Sequence, residues 1–283
     1  MRMGKLSGIR VVDLSLFLPG PMLTLMMADQ GAQVTKVEPP TGDPARTMEP
    51  MEGGESVWFN NLNRGKDCRR LDLKTDEGQA ALWLLIDDAD VLVEGFRPGV
   101  MARLGFDYSA VAARNPGIVY CSVSAFGQTG AMALHPAHDL AVQAHAGFLS
   151  VNDGRDGIPV VPGVPSADMA AGLTGLAAVL MALIGRQATG KGDYLDIAMF
   201  DSLLPWCAHI AGGAIASGPT PVSQTQRSQG GPAPRGGGWR GVQRGWPNRS
   251  GRGGAPPSIR SIAPPMTCMW FLGGAKPSSP PTC

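Results

Sequence analysis

The sequence predicts an α/β fold, a mostly parallel sheet flanked by helices, and three observations carry that expectation. Short apolar runs rich in Val, Ile and Leu recur along residues 1–217. Segments with helical spacing of apolar residues separate them. The first forty residues already hold a strand–helix–strand unit, the building block of a parallel sheet.

Ile9 to Leu14 (IRVVDL) reads as a buried strand. The loop SLFLPG follows, with Pro21 placed to open a helix, where a missing N–H costs nothing. Leu23, Met26 and Met27 form that helix's apolar face, and Gly31 stops it. Gln33 to Glu38 (QVTKVE) is the second strand. Residues 39–56 read as loop, and Arg69 to Leu73 as a strand. Thr75 is placed to cap a helix running to about Asp88. Val91 to Glu94 (VLVE) is a strand and GFRPG a tight loop. Short helical pieces are expected at Val100–Leu104 and Ser109–Arg114, then a strand at Ile118–Ser124 and the loop FGQTG.

The longest helix is expected from Ser166, as N-cap, to a stop at Gly190 and Gly192. Leu173, Leu176, Leu180 and Leu183 recur at spacings of three and four and define its expected apolar face. Gly172, Thr174 and Gly175 interrupt the apolar stretch, so no membrane span is expected from it. A strand at Tyr194–Met199 and a helical piece from Phe200 to about His209 complete the ordered pattern. In such sheets ligands sit beyond the carboxyl ends of the strands. Those ends are the loops Ser15–Gly20, Gly95–Gly99 and Phe126–Gly130.

Residues 218–283 are of another kind. They hold 13 Gly and 12 Pro in 66 residues, with one leucine. Such a stretch cannot bury enough apolar surface to offset chain entropy, so disorder is expected. The net charge of +1 conceals an asymmetry: residues 1–217 balance at −7, and residues 218–283 at +8 with no acid at all. The overall charge gives no reason to expect a nucleic-acid partner. Arg-Gly runs beside Trp239 and Trp246 have the chemistry of single-strand binding, but nothing upstream supports that use. Loss of every acid together with this bias resembles out-of-frame translation of a GC-rich gene. Resequencing that confirms an open frame through Cys283 would count against this.

The five cysteines are scattered and lack C-x-x-C spacing, which favours free thiols in a reducing compartment. The N-terminus has no signal-peptide h-region, so a cytoplasmic protein is expected. The first strand is not followed by G-x-G-x-x-G, and no P-loop, H-E-x-x-H, G-x-S-x-G or metal-spaced Cys/His cluster is present. No metal site is expected.

By itself Asp168 reads as an ordinary first-turn acid. A carboxylate there is favoured in its ionised form by about 0.3–1 kcal/mol through the helix dipole. His135, His138 and His145 lie in LHPAHDLAVQAHAG, just upstream. A His and an Asp from separate segments can form an acid/base pair, since histidine titrates near working pH. Alone, the His138–Asp139 pair reads as a surface or capping feature.

The sequence resembles the family III CoA-transferases, a group that includes the α-methylacyl-CoA racemases. The matching stretches run in family order over about residues 4–217. They are LSGIRVVDLS with Gly20–Pro21, MMADQGAQVTKVEPPTGDPAR, WFNNLNRGK, RLDLKTDEG, ADVLVEGFRPGVMARLGFDY, NPGIVYCSVSAFGQTG, HDLAVQAHAG, ADMAAG and RQATGKGDYLDIAMFDS. The resemblance implies a Rossmann-like large domain over 1–217. It implies that Asp168 is the catalytic aspartate, attacking an acyl-CoA thioester and carrying CoA as an aspartyl thioester before a carboxylic acid takes it. A nucleophilic carboxylate must be ionised and desolvated, and Ala170, Ala171 and Gly172 are expected to leave room for the thioester.

The family's CoA site maps onto Leu16, Phe17, Leu18 and Pro19, onto Gly95 and Phe96, and onto Arg103, with Arg97 as a second cation. A guanidinium suits the phosphates of CoA because it can bind them bidentately. Pro39 stands where some relatives carry an arginine. CoA thioester is a substrate, and no permanently bound cofactor is implied. In the racemase branch His138 would work with Asp168 as an acid/base pair, whereas WFNNLNRGK and the QAHAG ending are more transferase-like. Family members continue past residue 217 and form interlocked homodimers. The chain therefore reads as truncated or frame-shifted after about residue 217, and an inactive fragment is the third alternative.

Overall fold

The computed structural model describes residues 4–152, 154 and 158–217. The disorder expected for 218–283 lies outside the described residues, as do Cys268 and Cys283.

The chain opens with β1 (Arg10–Asp13), α1 (Pro19–Asp29) and β2 (Gln33–Glu38). Pro19, not Pro21, takes the first helical position, so the helix begins two residues earlier than expected. The stretch expected as loop holds a 3₁₀ turn at Pro44–Thr47 and a small hairpin, β3 (Met51–Glu52) with β4 (Glu55–Ser56). An unanticipated helix follows, α2 (Val57–Asn63), its N-terminus capped by the Ser56 hydroxyl, which accepts the Phe59 N–H at 3.2 Å. β5 is Asp67–Arg70, two residues ahead of the expected strand. Thr75 caps α3 (Asp76–Asp87) as expected, accepting the Gly78 N–H at 3.1 Å.

Next come β6 (Val91–Glu94), α4 (Val100–Leu104), α5 (Tyr108–Arg114) and β7 (Val119–Ser124). The histidine-bearing stretch contains a second unanticipated helix, α6 (Asp139–His145). The long helix α7 spans Ser166–Thr189 and stops at Gly190 in left-handed conformation, φ 69°. β8 (Asp193–Ala198) and α8 (Met199–Ser217) complete the described chain.

Six strands form one sheet in the order β5-β2-β1-β6-β7-β8, every pair parallel. Alternation along the strands builds two cores. Val11, Val34, Val91, Val93, Cys121 and Ile197 face α1 and α7. Val12, Val37, Leu92 and Tyr120 face α3, α4 and α5. Burial on both faces explains the near-continuous apolar runs of these strands. The chain order reverses between β1 and β6, and there Gly95 packs at ordinary contact distance beside the loop after β1. A Cβ on Gly95 would lie 3.5 Å from Ser15 Cβ and 4.0 Å from the Val123 carbonyl.

Of the expected leucine face of α7, Leu183 is buried and Leu176 packs against the core, but Leu173 faces outward and small residues fill the rest of the buried face. Ala167, Ala170, Ala171, Ala178 and Val179 are buried together with Gly172 and Gly175, while Leu173 is 44% exposed. The physical reason is close approach: a Cβ on Gly175 would sit 2.7 Å from Leu23 Cδ1, and one on Gly172 would sit 2.9 Å from the Pro19 carbonyl. Leucine cannot occupy such a seam. Arg186 ties the far end of α7 down, donating to the Gly117 carbonyl at 3.0 Å and to Asp90 at 2.9 Å. At 24 residues, with mean hydropathy 1.9 over its most apolar window, α7 has the length and composition to cross a bilayer, contrary to the sequence expectation; 44% of that window is buried inside the protein.

Candidate active site

Asp168 lies in the first turn of α7, half-buried. The N-cap is Pro165 rather than Ser166, and it offers no side-chain hydrogen bond. Ser166 turns back instead, its hydroxyl donating to the Val164 carbonyl at 3.2 Å. The cap comes from another element. Asp139, the first residue of α6, accepts the N–H of Ala167 at 2.8 Å and that of Asp168 at 3.1 Å. Its other oxygen accepts from Gln143 one turn further along α6.

This corrects the expected electrostatics of Asp168. The helix terminus that was to stabilise its anion is already occupied by a carboxylate. Burial, and next the charge of Asp139, push the Asp168 carboxyl up to about 7. The space expected beside it is also filled: Ala170 and Ala171 are buried, and Gly172 packs against Pro19 and Met22.

His138 is the N-cap residue of α6 and is exposed. Its ring stands edge-on to Phe17, centroids 6.3 Å apart. Phe17 is itself held in the left-handed region at φ 61°, a conformation that costs an L-residue about 1–2 kcal/mol. Loop 15–19, α6 and α7 thus converge. Phe17 meets His138, Asp139 caps the turn bearing Asp168, and Gly172 in the next turn meets the Pro19 carbonyl.

The remaining predicted CoA contacts divide. Leu18 is buried as the N-cap of α1, Leu16 is half-buried, and Pro19 belongs to the helix. Phe96 packs against the second core and donates its N–H to Glu94 at 2.8 Å. Arg103 is exposed on α4, near the left-handed turn at Gly99, and makes no ion pair among the described residues. Arg97 lines a cleft of about 230 Å³ with Glu94, Tyr108, Ser122, Gln128 and Tyr194; Gly99 and Ala102, beside Arg103, line it too, and neither Asp168 nor His138 does.

Sequence reasoning named Asp139 as part of a surface or capping pair, and it does cap, but nothing in the chain tells which helix. It missed one carboxylate. Glu94 ends a strand and is 2% exposed; burial pushes it up to about 7 against the hydrogen bonds from Ser122 and the Phe96 N–H. No group of three or more His, Cys, Asp or Glu residues able to hold a metal occurs among the described residues.

The sequence model of CoA-transferase family III matches residues 6–236. The chain is 42% identical over 222 residues to the acetyl-CoA:oxalate CoA-transferase of Acetobacter aceti, covering 77% of this chain and 57% of that protein. It is 37% identical over 225 residues to the succinate–glutarate CoA-transferase of Agrobacterium fabrum, covering 77% and 56%. The crystal structure of a CaiB/BaiF family protein from Brucella suis superposes with a TM-score of 0.76 at 36% identity, covering 78% of this chain and 60% of that one. The chain thus spans somewhat under two thirds of the length of each. By sequence and by fold, it belongs to CoA-transferase family III.

Proposed function

We propose that the chain carries the reactive half-site of an acyl-CoA:carboxylate CoA-transferase, with Asp168 as nucleophile. One observation carries this: a half-buried carboxylate at the meeting point of loop 15–19, α6 and α7, raised to about 7 by burial. A carboxylate stripped of water is more basic and, once ionised, more nucleophilic than a solvated one.

Asp168 attacks the thioester carbonyl of the donor, forming a mixed anhydride and releasing CoA thiolate. The thiolate attacks the aspartyl carbonyl, expelling the donor carboxylate and leaving an aspartyl-CoA thioester. The acceptor carboxylate then displaces the thiolate to form a second anhydride. Thiolate attack on the acceptor's acyl carbon releases the new acyl-CoA and regenerates Asp168. The names of the relatives, which pair CoA transfer with oxalate and with glutarate, support a small dicarboxylic acid as acceptor.

The test is to incubate the chain with acetyl-CoA or succinyl-CoA and either acid. CoA on the peptide containing Asp168 is then sought by mass. Transfer that persists undiminished in Asp168→Asn would sink the assignment.

A second reading, α-proton exchange on a 2-methylacyl-CoA by His138 and Asp168, is favoured by the same pKa. Acid–base catalysis is most efficient by a group that titrates near working pH. Incubation in D₂O without an acceptor acid separates the two: α-deuteration supports racemisation, and acid-dependent transfer without deuteration supports the transferase.

A further inference from the structure

Beneath segment 15–21, the loop after β1 and the first turn of α1, lie two lysines whose side chains have no exposed surface, Lys36 and Lys66. Buried ammonium groups are tolerated only where their protons are met by acceptors and their charge by a partner. Lys36 Nζ donates to the Ser15 carbonyl at 2.7 Å and lies 3.0 Å from Asp43 Oδ2. Lys66 Nζ donates to the Pro21 carbonyl at 2.9 Å, to Asn63 Oδ1 at 2.9 Å and to Asp13 Oδ2 at 3.2 Å. The two carbonyls held in this way bracket the segment that carries Phe17 and Pro19, one in the loop before α1 and one in its first turn.

The acidic partners grip the same segment. Asp43 Oδ1 accepts the N–H of Phe17 at 3.4 Å and that of Ala45 at 2.9 Å. Asp13 accepts the Ser15 N–H at 2.9 Å and the hydroxyls of Ser15 and Thr24. Asp13 and Lys36 are themselves cross-strand partners in the β1–β2 register. Asp13 and Lys36 are therefore built into the sheet, and each of the four charged groups has a hydrogen bond to the backbone of segment 15–21.

That loop needs holding. Phe17 sits at φ 61°, where an aromatic L-residue stays only if its surroundings impose it. Released, it would return to negative φ and swing its ring off His138. An apolar pair of similar volume fills such a site at comparable stability, so stability alone does not call for these charges.

We propose that Lys36 and Lys66 are positioning residues, clamping the loop before α1 at Ser15 and the first turn of α1 at Pro21 so that Phe17 meets His138 and Pro19 meets the α7 turn following Asp168. The consequence for catalysis rests on the reading of Asp168 as the reactive carboxylate; the clamp itself does not.

The test compares wild type with Lys36→Met/Asp43→Asn, which removes the ion pair without leaving an uncompensated charge. Lys66→Met/Asp13→Asn, which removes the second ion pair in the same charge-balanced way, serves if the first double variant does not fold. Amide hydrogen exchange is followed over residues 15–21 and over β6 and β7, and CoA binding is measured by calorimetry. The expected result is exchange about tenfold faster in 15–21, the loss of a charge-assisted hydrogen bond, with β6 and β7 unchanged and CoA binding weakened by a similar factor. Unchanged exchange in 15–21, or acceleration spread equally over β6 and β7, overturns the clamp. A wild-type chain that does not bind CoA overturns the functional reading instead, and the exchange data still decide the clamp.

Discussion

One oxygen of Asp139 accepts the backbone N–H groups of both Ala167 and Asp168, at 2.8 and 3.1 Å. Two carboxylates thus share one helix terminus, and only one of them is hydrogen-bonded to it. The bonded one stabilises α7. The other, Asp168, is left half-buried beside a like charge and rises to about 7. Burial, and next the capping carboxylate, therefore raise the pKa of the proposed nucleophile.

Replacing Asp139 separates cap from charge. Asp139→Asn keeps an oxygen for the two N–H groups and removes the negative charge. The Asp168 carboxyl is expected to fall below 7, and the acidic limb of the pH–rate profile to move down with it. Asp139→Ala removes the cap as well and is expected to cost about 1 kcal/mol of stability. An acidic limb that stays in place in Asp139→Asn would show that Asp139 does not tune Asp168.

Glu94 makes a linkage prediction. Its carboxyl titrates at about 7 in the folded protein, against an ordinary 4.5. Between those values the folded state holds the proton and the unfolded state does not, so stability falls as pH rises through that window. Glu94→Gln keeps an acceptor for the Phe96 N–H and removes the titration. The variant is expected to melt higher than wild type at pH 8 and to lose that advantage by pH 4.5, each kcal/mol corresponding to about 2–4 °C for a domain of this size. Parallel melting curves across the range would assign the titration elsewhere.

Asp13 behaves in the opposite sense. Burial alone would raise its pKa, but Lys66 and Lys36 hold it at about 2. Its contribution to stability is present above the ordinary 3.8 and lost as pH falls towards 2. Asp13→Asn leaves Lys66 without its counter-charge and is expected to cost about 3–5 kcal/mol at pH 7, read from denaturant unfolding. A loss under 1 kcal/mol would mean that Lys66 finds another partner.

Gly172 reports on the seam between α1 and α7. A Cβ there would lie 2.9 Å from the Pro19 carbonyl and 3.0 Å from Met22 Cε. Gly172→Ala is expected to cost about 1–3 kcal/mol through overpacking, despite alanine's better helix propensity, and to displace Pro19. A melting temperature at or above wild type would show that the seam yields.

Much of the fold was legible because its signals are local. β2, β6 and α4 fall at their expected positions, since apolar runs and flanking glycines mark them without help from distant residues. Two helices were not legible. α2 (VWFNNLN) and α6 (DLAVQAH) are seven residues each, too short for an apolar period to stand out. The leucine period places Leu176 and Leu183 on the core side of α7, but not Leu173, because the seam at Gly172 and Gly175 admits only small side chains.

For the site, the amino-acid sequence alone determined which residues are available. It supplied an acid in the first turn of a long helix, a histidine thirty residues earlier, and a run of stretches in family order that marks Asp168 and His138. Only the tertiary structure decided what surrounds them. It gave the α7 terminus to Asp139, turned Phe17 onto His138, sealed Lys36 and Lys66 beneath segment 15–21 and set Arg97 in a cleft that Asp168 and His138 do not line. The physical reason is that burial and hydrogen bonding between groups distant in sequence set charge states and loop conformations, and neither is a property of any one stretch of chain.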